Sequence, residues 1–121
     1  MKFPRNLALG LCLLAAAASA ARAHAFLKHA NPVPGSTVAE RPASLLLTYT
    51  EDLAVPFCTV TVTDSAGHAV QTAKPEPVPG HADELTVPLH ITAPGKYIVT
   101  WHALSAATHK TKGSFSFTVG S

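Results

Sequence analysis

The sequence has little sulfur and few charged side chains. Two cysteines and one methionine occur in 121 residues, and charged residues make up 13% of the chain. Cys12 lies in a hydrophobic N-terminal run, so Cys58 is the one cysteine in the rest of the chain. A single cysteine excludes an intramolecular disulfide there. The one methionine is Met1, so a thioether site for a soft metal ion is excluded as well.

The basic character of the sequence belongs to its first residues. Three of the nine Lys and Arg residues, Lys2, Arg5 and Arg22, lie before residue 24, whereas all seven Asp and Glu residues lie after it. Beyond residue 23, six cations face seven carboxylates. A chain balanced in this way lacks the basic surface that nucleic-acid binding requires.

Residues 1–23 have the pattern of a secretory signal peptide. Lys2 and Arg5 precede the apolar run LALGLCLLAAAASA, and ARA supplies small residues before the cleavage site. The run is too short for a transmembrane anchor. We expect cleavage after Ala23, export to the periplasm, and His24 as the first residue of the mature chain.

Residues 24–121 read as a single all-β domain, because no amphipathic helix pattern occurs and short β-branched runs alternate with turn signals. Pro and Gly bound most of these runs, which are SLLLTYTEDL (44–53), FCTVTVTD (57–64), ELTVPLHI (84–91), APGKYIVTWHALS (93–105) and SFSFTVGS (114–121). The tract KPEPVPGHAD (74–83) reads as a proline-rich surface loop. We predict an antiparallel Greek-key β-sandwich, immunoglobulin-like or cupredoxin-like, of about seven strands.

An N-terminal histidine carries two metal-binding nitrogens. The α-amine and the ring Nδ1 of His24 close one chelate ring, and an amine with a pKa of about 7.7–8.0 loses its proton readily to a metal. Two nitrogens from one residue suit Cu(II), which favours tetragonal nitrogen and oxygen ligands. His109, in the polar loop SAATHKTKG (105–113), is the candidate for a third nitrogen.

The chain resembles the CopC-like periplasmic copper-binding proteins, on HAFLKHANPVPGS, LTYTED, GKYIVTW and THKTKGSFSFTV. In that family the mature N-terminal histidine and an Asp-x-His pair bind Cu(II). The resemblance implies ligation by His24 and His109, whereas Ala107 occupies the aspartate position. A histidine brace without that carboxylate leaves an equatorial position open, which Glu51 could partly fill. Weaker Cu(II) binding is expected from the loss.

The other candidate ligands have simpler interpretations. Cys58 falls on the apolar face of its strand and reads as a small core residue. His29 and His102 read as surface or packing residues near the site. Three further histidines read as solvated, with at most weak metal binding: His68, His81 and His90.

Three functional hypotheses follow, from different classes. The leading one is a monomeric copper carrier or buffer, without enzymatic activity, whose partner is a CopD-like inner-membrane copper transporter or a periplasmic copper oxidase, as the resemblance implies. The alternative is a small histidine-brace copper oxidase or monooxygenase, although Trp101 is the only tryptophan and falls in a core strand. A third, a sandwich without metal, would show no rise in stability with copper.

Overall fold

The computed structural model describes residues 25–121. The predicted signal segment and the predicted ligand His24 lie outside these described residues. The helical structure of the described part is one three-residue 3-10 turn, Val55–Phe57, and no helix there is long and apolar enough to cross a membrane. The strands are β1 (Leu27–Asn31), β2 (Thr37–Val38), β3 (Ser44–Tyr49), β4 (Thr59–Thr63), β5 (Glu76–Val78), β6 (His81–Pro88), β7 (Gly95–Leu104) and β8 (Lys110–Val119).

The strands form two four-stranded sheets that pack face to face. One sheet has the order β1-β3-β6-β5 and the other the order β2-β8-β7-β4. Neighbouring strands are antiparallel except for β2 and β8, which run parallel. Most connections cross from one sheet to the other, as Greek-key connections do. The predicted all-β sandwich is confirmed.

The core follows the alternation of side chains along the strands. In β7, Tyr97, Val99 and Trp101 are buried, whereas the residues between them are exposed. The Tyr49 ring meets Trp101 edge-on, with ring centroids 5.1 Å apart, so the two sheets are joined by an aromatic contact. Cys58 is buried in the same core, as its strand position predicted.

Three strands, β1, β2 and β5, lie outside the runs that the sequence predicted. The Pro-rich tract 74–83 contains β5 and the start of β6, whereas the pattern predicted a loop. Pro77 fits β5 because this strand lies at the edge of its sheet, where a missing N–H costs little. The two-residue β2 is too short to give a periodic signal, which accounts for eight strands where about seven were predicted.

Gly113 lets the Trp101 ring lie against β8, and its loss is expected to destabilise the fold. A Cβ at position 113 would lie 2.5 Å from Cζ2 of Trp101 and 2.7 Å from Cε2. The buried ring has Tyr49 against it and little room to shift. We expect Gly113→Ala to lower the free energy of unfolding by about 1–3 kcal/mol, measured by urea denaturation.

Gly120→Ala is the matched control. A Cβ there meets Val38 O at 3.6 Å, an ordinary contact. A change within about 0.5 kcal/mol is expected for this control. Equal midpoints for the two variants would mean that Trp101 does not constrain position 113.

Candidate metal centre

A five-residue loop, 105–109, joins β7 to β8 and ends with His109. The Ser105 N–H donates to the His109 carbonyl at 2.9 Å, and the Thr108 N–H donates to the Ser105 carbonyl at 2.9 Å. The His109 N–H donates to Ser105 Oγ at 3.1 Å. Ser105 is buried and anchors both ends of the loop. His109 is therefore held, half-buried, at the first residue after the turn.

The loop adopts a conformation that its residues do not favour. Thr108 has a φ of 68°, in the left-handed region that glycine or asparagine usually occupies in such hairpins. A non-glycine residue there costs roughly 1–3 kcal/mol. The hydrogen bonds of Ser105 offset this cost. Ala107, the residue in place of the aspartate that the resemblance implies, lies exposed at the tip of the loop.

The residues after β3 lie against this loop. The Ala106 N–H donates to the Asp52 carbonyl at 2.9 Å, and the Ala54 N–H donates to the Leu104 carbonyl at the same distance. Glu51 precedes Asp52 and is partly buried. Its Oε2 atom is buried and has no hydrogen-bond partner among residues 25–121. A carboxylate oxygen in that setting is costly to the fold and suited to a cation.

The first described residues reach both sheets at this same end of the sandwich. The Phe26 N–H donates to Thr50 Oγ1 at 2.9 Å, and the Thr50 N–H donates to the Phe26 carbonyl at 2.9 Å. The Thr111 hydroxyl donates to the Ala25 carbonyl at 2.5 Å. Ala25 is 0% exposed. The chain next to residue 24 is thus bonded to β8 on one side and to the end of β3 on the other.

Three segments therefore meet at one edge of the sandwich. They are the N-terminal residues, the Glu51–Asp52 segment and the loop that carries His109. A carboxylate and an imidazole supply one oxygen and one nitrogen, a donor set that suits a borderline divalent ion such as Cu(II). Sequence reasoning named Glu51 and His109, and the fold joins their segments through the bond from Ala106 to Asp52.

The remaining described histidines lie elsewhere on the surface. His29 and His90 are exposed, and His102 is exposed on the outer face of β7, opposite Lys112. His68 lies 3.6 Å from Asp64 in an exposed turn. His81 groups with Asp83 and Glu84, and possible ligand atoms of the three lie within 4.8 Å of one another. These three residues lie within four consecutive positions at the start of β6, and they were not singled out as a group from the sequence.

Cys58 is held as an internal residue. Its thiol lies 3.5 Å from the Ala54 carbonyl, and the Leu104 N–H points to the sulfur at 3.5 Å. Burial raises the pKa of the Cys58 thiol, which keeps it protonated and a poor metal ligand. The interpretation of Cys58 as a core residue agrees with this environment.

Sequence reasoning missed the two threonines that hold the N-terminal segment. Thr111 lies on the inward-facing positions of β8, in register with Phe115 and Phe117. A polar residue on an apolar face was the available signal. Thr50 gave no such signal, because it follows the last residue of β3.

The fold and the meeting segments define a small β-sandwich with a candidate metal centre at one edge. The family model of the CopC domain matches residues 27–120. The chain belongs to the CopC family.

Relatives of known sequence agree with this assignment. Protein YobA of Escherichia coli strain K12 is 32% identical over 98 residues, which cover 80% of this chain and 79% of that protein. Copper resistance protein C of Escherichia coli is 32% identical over 114 residues, which cover 88% of this chain and 90% of that protein.

Two solved structures share the fold. CopC from Methylosinus trichosporium OB3b superposes with a TM-score of 0.74 at 28% identity, covering 79% of this chain and 93% of that one. PcoC, a methionine-rich copper resistance protein from Escherichia coli, has a TM-score of 0.71 at 30% identity, covering 81% of this chain and 100% of that one. The present chain differs from a methionine-rich protein in having Met1 alone.

Proposed function

We propose that this protein binds Cu(II) in the periplasm and carries or buffers it in copper resistance. The amine and ring Nδ1 of His24 supply two nitrogens and His109 supplies the third. Glu51 supplies an oxygen as the fourth group. Copper is the cargo of this site, and the chain's own part is to hold the donors in place.

The meeting of three chain segments carries the proposal. The bonds from Thr111 to Ala25 and from Ala106 to Asp52 tie the N-terminal residues and the end of β3 to β8 and the loop before it. Because His24 is the covalent neighbour of Ala25, the bond that fixes Ala25 limits the reach of the His24 nitrogens. The names of the relatives support copper as the ion.

The buried oxygen of Glu51 supports its role as the fourth group. Burial of a carboxylate oxygen without a hydrogen bond destabilises the fold unless an ion compensates for the lost hydration. Among residues 25–121, Glu51 is the one carboxylate with such an oxygen. A cation at this position would offset the cost. Bound Cu(II) would therefore remove a destabilising feature of the apo protein.

We favour copper transport or buffering over catalysis. Polymer-oxidising copper enzymes need a flat, exposed aromatic surface, and Trp101 is 5% exposed. Tyr97 and Tyr49 are buried too, so these rings are part of the core. The monomeric state, cleavage after Ala23, and a copper transporter or copper oxidase as partner remain parts of the proposal.

Processed protein of confirmed mass is expected to bind one Cu(II) tightly, with an EPR spectrum of mixed nitrogen and oxygen ligation. Glu51→Gln should weaken binding at least tenfold, about 1.4 kcal/mol, and shift the spectrum toward nitrogen ligation. The unfolding free energy of the apo form should stay equal or rise, because a buried charge is removed. Competition titration, EPR and urea denaturation measure the three quantities.

Glu84→Gln, in the partly exposed group with His81, is the matched control and should leave the tight site unchanged. Ala107→Asp adds a carboxylate at the loop tip, so it should restore affinity in the Glu51→Gln background. Suppose that Glu51→Gln binds Cu(II) as wild type does, and that Ala107→Asp as a single substitution tightens binding. The fourth coordination position is then open in the wild type, and Glu51 is not a ligand.

A further inference from the structure

Thr111 has a hydroxyl on the face of β8 whose other side chains are apolar. The inward positions of β8 beyond it are Gly113, Phe115, Phe117 and Val119, and the side chains of the last three pack in or against the core. A hydroxyl on such a face is costly unless it finds an acceptor. Valine has the same shape and would suit the packing better.

The acceptor that Thr111 finds is the carbonyl of Ala25, 86 residues earlier in the chain. Ala25 is 0% exposed, so the bond is shielded from competing water. On the other side, Thr50 and Phe26 exchange two hydrogen bonds of 2.9 Å. Ala25, the residue next to His24, is therefore bonded to a threonine of one sheet, and its neighbour Phe26 is bonded to a threonine at the end of a strand of the other.

We propose that Thr111, assisted by Thr50, is a positioning residue for Cu(II) binding. This inference rests on the proposed function, since it concerns the donor nitrogens of His24. By fixing Ala25, Thr111 restricts through the covalent chain the positions that the His24 donor nitrogens can reach. Without this bond, the terminal residue would lose more conformational freedom when it binds the ion, and Cu(II) affinity would fall.

The test compares Thr111→Val, which keeps the shape and removes the donor, with Thr111→Ser, which keeps the donor. Thr111→Val should weaken Cu(II) binding about tenfold and make the EPR spectrum heterogeneous, whereas Thr111→Ser should bind within about threefold of wild type. In the apo protein, hydrogen exchange at the Phe26 and Leu27 amides should accelerate in Thr111→Val alone. Thr61→Val, on the exposed face of β4, controls for the substitution itself.

Wild-type affinity in Thr111→Val, or equal losses in Thr111→Val and Thr111→Ser, would overturn the positioning role. If Thr111→Val does not fold, the pair Thr50→Val and Thr50→Ser decides the same question from the other sheet. A chain extended before His24 separates a failure of the proposed copper site from a failure of the proposed role of Thr111. If the extended chain and Thr111→Val both bind as wild type does, the copper site itself is wrong; if only Thr111→Val does, the site stands.

Discussion

A chain that keeps one or more residues before His24 is expected to bind Cu(II) roughly a thousandfold more weakly than the processed chain, about 4.1 kcal/mol. An amide nitrogen replaces the free amine in such a chain, so the chelate ring within His24 is lost. The two imidazoles and the Glu51 carboxylate would remain, each as a separate donor outside any chelate ring. Competition titration of processed and Met-extended protein, each of confirmed mass, measures the difference.

The extended chain also contains its own control. The bond from Thr111 to Ala25 and the pair between Phe26 and Thr50 lie after residue 24, so the apo fold should keep its stability. A lower melting temperature of the apo extended chain would show that the added residue disturbs the fold. Equal Cu(II) affinity in a stable extended chain would exclude the amine as a ligand.

The sandwich could be predicted because its strands alternate regularly between apolar and polar residues. Val60 and Val62 in β4, and Val99 and Trp101 in β7, are buried as their parity requires. This local signal needs alternation over a run of only about four to eight residues. It failed at β1, whose burial does not alternate, at β5, where prolines obscure the alternation, and at β2, which has only two residues.

The candidate site could be predicted only in part, because its organisation depends on long-range hydrogen bonds. The motif THKTKG marked His109, and the predicted cleavage site marked His24. Neither pattern contains the bonds from Ala106 to Asp52 or from Thr111 to Ala25. Backbone carbonyls accept both bonds, and every residue has a carbonyl, so sequence alone cannot select them.

Two features of the candidate site lower the stability of the fold when no ion is bound. Glu51 buries a carboxylate oxygen without a partner among the described residues, and Thr108 adopts a left-handed backbone. Both features lower the stability of the apo protein. An ion that binds only the folded state raises the free energy of unfolding by mass action. The melting temperature should therefore rise with Cu(II), and Glu51→Gln should reduce that rise.

His109→Ala is expected to weaken Cu(II) binding roughly a hundredfold, about 2.7 kcal/mol. The substitution removes one of three proposed nitrogen donors and leaves the chelate of His24 in place, so the loss should be smaller than that caused by an N-terminal extension. The loop should survive, because its bonds run through the His109 backbone and Ser105. Loss of one nitrogen should appear in the EPR hyperfine pattern.

Two exposed histidines serve as matched controls for this substitution. His68→Ala removes a side chain in the Asp64 turn, and His81→Ala breaks up the surface group with Asp83 and Glu84. Both should leave the tight site unchanged, although His81→Ala should abolish any weak second binding step at excess Cu(II). Similar losses of the tight site in all three variants would indicate nonspecific binding by surface imidazoles. That result would refute a defined site at this edge, because of the three histidines only His109 lies in the loop that is bonded to the Glu51–Asp52 segment.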